Sequence, residues 1–221
     1  MKLRLLLASL LPPLLLLPSA AQAQLRTNQW EGWFSPVVTQ SKSYTFEGGS
    51  TARQDTGFGA GFGFGKNLNP NFSLGGEFTW GSANYRATVQ PGAGNNLQAQ
   101  TIGGTVEAYT VRFMGSYYLL QGNFSPFVTG GLGWTYIDTN IPSGLPQNVC
   151  WYYPWYGTVC GSYVPTASTT RFSYNAGLGV RYDFTREFFM RGWVNAQYVD
   201  FGGSYGGTRW TQGRIDFGVK F

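Results

Sequence analysis

The sequence predicts an all-β fold: an eight-stranded antiparallel up-and-down transmembrane β-barrel with short periplasmic turns and long extracellular loops. Three observations lead there. Charged residues make up 11% of the chain against 18% aromatics, with 32 glycines among 221 residues; soluble domains carry about 25% charge. No stretch after the first twenty residues approaches the ~18 consecutive apolar residues of a membrane helix. Instead, apolar and polar side chains alternate with a period of two, which places them on opposite faces of strands.

The N-terminus sets the compartment. Lys2 and Arg4 precede an apolar run from Leu5 to Leu17, and Ala21-Gln22-Ala23 closes it with the small-x-small pattern of a signal-peptidase site. Pro12 and Pro13 interrupt the run, which is too short to span a bilayer. Residues 1–23 are therefore expected to be a cleaved signal peptide and residues 24–221 a single outer-membrane β-barrel domain. No Cys lies near the cut, which argues against a lipid anchor. The chain's net charge of +5 is too modest for the footprint of a nucleic-acid binder.

Eight segments read as strands: 28–43, 54–66, 71–87, 104–120, 125–139, 169–184, 187–202 and 209–221. About 9–11 residues cross a membrane when tilted, and each segment is long enough. In the first, Pro36 weakens pairing locally. The second reads Gly57-Phe58-Gly59-Ala60-Gly61-Phe62-Gly63-Phe64-Gly65, with every glycine on one face, making room in a narrow lumen for long side chains from other strands. In the third, Phe72, Leu74, Phe78 and Trp80 oppose Ser73, Gly75, Glu77 and Thr79. In the fourth, Val111, Phe113 and Tyr117 oppose Arg112, Met114 and Ser116. In the sixth, Phe172, Tyr174, Leu178 and Val180 oppose Arg171, Ser173, Asn175 and Arg181. The last sets Ile215, Phe217, Val219 and Phe221 against Arg214, Asp216 and Lys220. A soluble β-sandwich would also alternate, so the connections matter. Turns at 67–70, 121–124 and 185–186 are short, whereas Glu47 to Arg53, Thr88 to Gly103 and Asn140 to Thr170 are longer. Short turns on one rim and long loops on the other is the outer-membrane pattern.

With these features the chain resembles the superfamily of small eight-stranded outer-membrane β-barrels, the OmpA-like transmembrane domains and OmpW-like porins. The resemblance covers residues 24–221 and implies the outer membrane of a Gram-negative bacterium, outer-membrane lipids and lipopolysaccharide as surroundings, and the barrel-assembly machinery as a partner. It also implies that Val219 and Phe221 form the assembly signal of the final strand. One departure is Asp216, which stands where the usual pattern has a small residue. Aromatics near strand ends suit the interfacial girdles of such a barrel: Trp30, Tyr44, Trp80, Tyr85, Trp134, Tyr136, Tyr182, Tyr198 and Trp210 are the candidates.

Parity assigns Glu31, Glu77, Asp183 and Asp216, with Arg112, Arg181, Arg191, Arg214 and Lys220, to the lumen. An eight-stranded barrel is just wide enough for side chains to fill, and confined charges are relieved by pairing. These nine residues are expected to form an ion-pair network that plugs the lumen; the alternative is a narrow OmpW-like conduit for small or hydrophobic molecules that they would line. Cys150 and Cys160, in an exported chain with two cysteines, are expected to form a disulfide. They bracket Trp151, Tyr152, Tyr153, Trp155 and Tyr156. Such a cluster on an exposed loop suggests contacts: either a tip meeting an extracellular ligand or surface, or a loop folded back over the barrel mouth or the lipid interface. With no His in the chain, Ser–His catalysis is absent, and two thiols are too few to hold zinc. The stretch 57–65 lacks the Gly-Lys-Ser/Thr ending of a phosphate loop. No catalytic, cofactor-binding or metal residue is assigned and no enzymatic role is expected. The chain reads as a structural, surface-antigen type of barrel.

Overall fold

A computed structural model describes residues 26–45, 49–90, 98–145, 147–202 and 207–221; the expected signal peptide, 1–23, lies outside them. The described residues form twelve strands: β1 (Trp30–Thr39), β2 (Lys42–Thr45), β3 (Thr51–Gln54), β4 (Gly57–Asn67), β5 (Phe72–Val89), β6 (Gln100–Tyr118), β7 (Phe124–Pro142), β8 (Gln147–Tyr153), β9 (Gly157–Tyr163), β10 (Thr166–Asp183), β11 (Phe188–Asp200) and β12 (Gly207–Lys220).

Eight of them, β1, β4, β5, β6, β7, β10, β11 and β12, pair antiparallel with their sequence neighbours in the ring. The ring closes where β1 meets β12, with Glu31 opposite Lys220 and Phe34 opposite Phe217. Closure leaves no sheet edge around the ring where it crosses the membrane, the condition for strands to sit in lipid. Toward the short-turn rim the ring strands alternate as the sequence indicates, and β12 buries every second residue from Thr208 to Lys220. Phe34, Phe113, Leu178 and Phe217 project outward, each at least half exposed, as a lipid-facing band does.

Pro36 acts as expected. β1 pairs with β4 through it, but its ladder with β12 breaks between Phe34 and Val37, because proline has no N–H to give. The glycine face of β4 is filled from neighbouring strands: a side chain at Gly63 would fall inside the Trp33 indole, as one at Gly179 in β10 would meet Trp193. Trp33, Trp193 and Phe189 pack with Met114, Tyr118 and Phe127 in the interior.

The structure corrects three expectations. The connection after β1 and the one between β7 and β10 are not bare loops: β2 and β3 form a hairpin carried on β5, and β8 and β9 form a separate two-stranded sheet. The strands run further beyond one rim than alternation marked, with β6 and β7 of 19 residues each. Three girdle candidates face the wrong way: Trp210 is buried against Ile137 and Val199, Tyr44 hydrogen-bonds Thr208 at the lumen mouth, and Tyr85 shares the inward parity of Glu77 and Ala83, reaching Asn140. Large aromatics look alike on either face, so type alone could not place them. Trp30 does sit outside, stacked on Phe64 at 4.9 Å with Lys66 over its ring, and Tyr174 stacks on Tyr198.

Candidate functional site

The parity-assigned charges meet in two connected clusters inside the ring. All nine are at least 95% buried. The cluster nearer the short turns centres on Arg181 of β10. Its guanidinium donates to both carboxylate oxygens of Glu31, at 2.9 and 2.6 Å, to Asp183 at 3.0 Å and to the Tyr118 hydroxyl at 3.1 Å. It lies 4.0 Å over the Phe189 ring. Lys220 donates to Asp183 at 2.9 Å, and the Asn67 amide to Glu31 at 2.6 Å. Arginine suits the centre because its planar fork holds a carboxylate with two parallel bonds.

The second cluster lies deeper. Glu77 of β5 accepts from Arg112 at 2.6 and 2.9 Å, from Arg214 at 2.6 and 2.7 Å and from the Trp33 indole N–H at 3.1 Å. Asp216 accepts from Arg191 and from Trp193, each at 2.9 Å, and from the Ser35 hydroxyl at 2.6 Å. The Arg191 and Arg214 guanidiniums rest on the faces of Trp33 and Trp193, at 4.4 and 4.6 Å. Removal from water is costly for each charge; carboxylate, hydroxyl, indole N–H and ring face offset it here, while Arg112 Nη1, Arg191 Nη2 and Arg214 Nε have no hydrogen-bond partner among the described residues.

Alternation did not reveal Arg26. It precedes β1, so no strand period marks it. Asn28 takes a left-handed backbone, φ 64°, which asparagine tolerates. The segment thereby turns under the barrel, with Asn28 N–H donating to the Asn67 carbonyl. Arg26 then reaches Asp183 at 3.0 Å, the Ser125 hydroxyl at 2.5 Å and the Gly122 carbonyl. Burial, with Arg181 nearby, pushes the Arg26 guanidinium below its ordinary pKa. Tyr118 and the inward tryptophans also belong to the site. Their parity was legible, but nothing in the pattern marked them as partners of the charges.

Above the charges comes a layer of hydroxyls and amides. Thr110 meets Thr135 at 3.0 Å, Gln197 donates to Thr135 at 2.9 Å, and Asn175, Asn195 and Gln212 form a chain. Two hollows along this interior measure about 40 and about 10 Å³, the scale of single waters.

The disulfide Cys150–Cys160 joins directly opposite residues of β8 and β9, whose Cα atoms are 4.0 Å apart. Beyond it, Trp155 and Tyr156 are 89% and 85% exposed, so they do not cover the barrel mouth. Trp151 and Tyr153 meet edge to face, and Tyr152 is also exposed. Val219 on β12 and Phe221 just after it are exposed on the outer face; Phe221 exchanges two backbone hydrogen bonds with Trp30.

A closed antiparallel ring with an apolar exterior and charged interior defines a transmembrane β-barrel. Residues 10–221 match the family model described as outer membrane protein beta-barrel domain, and the chain belongs to that family. Among solved structures it is similar to the outer membrane protein OprG from Pseudomonas aeruginosa, at 13% identity and TM-score 0.50, over 89% of this chain and 97% of that one. Neisserial surface protein A is similar at 13% identity and TM-score 0.49, over 86% and 95%. The attachment invasion locus protein Ail of Yersinia pestis is similar at 12% identity and TM-score 0.49, over 88% and 99%. No curated protein sequence matches the chain.

Proposed function

We propose that this integral outer-membrane barrel acts as a structural, surface-displayed protein: its lumen is plugged by side chains and its contacts are made by its outer loops. The observation that carries this reading is the network spanning the lumen from Arg26 to Glu77, in which each buried carboxylate is held by at least two donors. The residual hollows beside it are too small for a solute. A pore selects through a ring of one sign; a cross-linked set of both signs fills the path instead. Planar-bilayer recordings test this. The protein is expected to give no steady conductance, and a sustained open level of ordinary porin size would overturn the plug.

The same reading makes the Cys150–Cys160 hairpin the principal contact surface, through Trp151, Tyr152, Tyr153, Trp155 and Tyr156. It includes export by a signal peptide over residues 1–23, lipopolysaccharide around the outer rim, and the barrel-assembly machinery as the reader of Val219 and Phe221. No enzymatic role is assigned, since the chain has no His to serve as a general base.

A further inference from the structure

At its outer end the lumen changes character. Ile137, Val199 and Trp210 pack together there, with Val106, Ala108 and Phe201 against them. This apolar layer sits directly above the hydroxyl and amide layer, where an outer-membrane barrel is ordinarily polar inside. Among the described residues the pairing of the wall beside it also thins. β10 begins at Thr166, yet its pairing with β11 starts only at Ser173, opposite Val199, and β11 stops at Asp200. Among the described residues, Thr170 to Phe172 of β10 are therefore paired with β7 and not with the β11 side. This notch opens into a hollow of about 520 Å³ lined by Tyr44, Ile137, Ile141, Phe201, Trp210 and Arg171 among others. That volume falls in the ~300–1,000 Å³ range of small-molecule sites.

Two residues that line this hollow carry donors without acceptors among the described residues. The Trp210 indole N–H and the Arg171 Nε–H are both buried without a hydrogen-bond partner, and Trp210 is 93% buried, its exposure being 7%. Buried donors left unpaired are costly, and a ligand oxygen would relieve that cost. Arg171 is the charged side chain among those lining the hollow, and Asp200 at its rim is exposed and accepts from the Gly202 N–H. Lys42 lies over the mouth, donating to Thr208 at 3.1 Å and to the Arg209 carbonyl at 3.0 Å. Neither Lys42 nor Arg171 forms an ion pair with a described carboxylate. The nearby Glu107 and Asp138, opposite each other in register, share the outward parity.

We propose that this vestibule binds one anionic amphiphile, a medium- to long-chain carboxylate. Its head group is held by Arg171 and the Trp210 indole, and its chain lies along Ile137, Ile141 and Phe201. The level of the notch fits such a molecule. The 13 residues of β11 rise about 34 Å at the tilt of a barrel strand, so the notch begins just beyond an apolar band of about 25 Å, where the head groups of the outer leaflet lie. Trp210 and Gln197 separate the hollow from the plug beneath, so the site retains its ligand and does not pass it on.

The test uses the whole protein, ¹⁵N-labelled, in phosphatidylcholine nanodiscs, with decanoate as the probe. The Trp210 indole resonance, assigned by its loss in Trp210→Phe, is expected to shift saturably with decanoate. Arg171→Leu should weaken the apparent affinity about tenfold or more, and decanol should bind about tenfold more weakly than decanoate, since a charge-assisted hydrogen bond is lost in both. Trp134, on the lipid face, reports partition into the bilayer. A Trp210 resonance that does not move, or that moves only in step with Trp134, overturns the site. Equal affinities for decanoate and decanol, or no effect of Arg171→Leu, overturn the anionic head group.

Discussion

Glu77 shows how single residues hold the interior. Two guanidiniums and an indole N–H converge on it, and its own burial is nearly complete. Replacing a whole buried ion pair by well-packed apolar groups is often neutral, whereas removing one partner strands the other. Glu77→Ala is therefore expected to cost about 3–5 kcal/mol, read from guanidinium-induced unfolding in lipid vesicles. A loss below about 1 kcal/mol would mean that water reaches Arg112 and Arg214 freely. On the outside the rule reverses. Leu178 is 66% exposed, and its place near the middle of β10's membrane span puts it in hydrocarbon. Leu178→Arg should cost about 2–4 kcal/mol, as arginine does near a bilayer midplane; in a water-facing sheet the same change would be close to neutral. Alternation made both residues readable. It places Trp210 inside as well, on the parity of Arg214, Asp216 and Lys220; the girdle expectation followed aromatic type and strand-end position instead. Arg26 escaped because a residue outside the strands has no period to betray it.

At the scale of elements, the ring and the outer hairpins obey different constraints. Ring strands must hide polar backbone from lipid and show apolar side chains to it, and this double demand writes a strong period into the sequence; all eight were legible from it. β2, β3, β8 and β9 stand clear of lipid and owe no such alternation, so the stretches holding them read as loops. An isolated two-stranded hairpin is marginal in water. The Cys150–Cys160 bond closes a short ring, which constrains the open loop by roughly 2.5–3 kcal/mol in the chain-entropy model. Because β8 and β9 form a sheet of their own, a Cys150→Ser/Cys160→Ser double variant should leave the barrel's unfolding midpoint unchanged within error. Chymotryptic cleavage between residues 147 and 163 on intact cells should become markedly faster. A shifted midpoint would show the hairpin to be coupled to the ring.

For the whole molecule, the alternating direction of the ring strands puts the short turns after β4, β6 and β10 on one rim and the β2–β3 and β8–β9 hairpins on the other. Outer-membrane barrels keep short turns in the periplasm. A membrane-impermeant maleimide applied to intact cells should therefore label Ser50→Cys and spare Asn69→Cys, with both labelled after lysis. The reverse pattern would invert the orientation.

The β1–β12 seam has a consequence for time. Glu31 and Lys220 are register partners, so the ring has no stable closed form until the last strand exists. At a synthesis rate of about 5–20 residues per second, roughly 10–40 s separate the appearance of those two residues, and pairings so distant in sequence also form slowly. Until then Phe34, and Phe62 and Phe113 once they are made, have no finished barrel wall to sit in. The alternating sequence makes the delay survivable: a mean hydropathy of −0.17 lets the unfinished chain cross an inner membrane and an aqueous space without lodging in either, as a run of ~20 apolar residues would. The chain must still be escorted while it waits, and any variant that slows the arrival or pairing of β12 should reveal itself first as periplasmic degradation, before any change in the finished barrel.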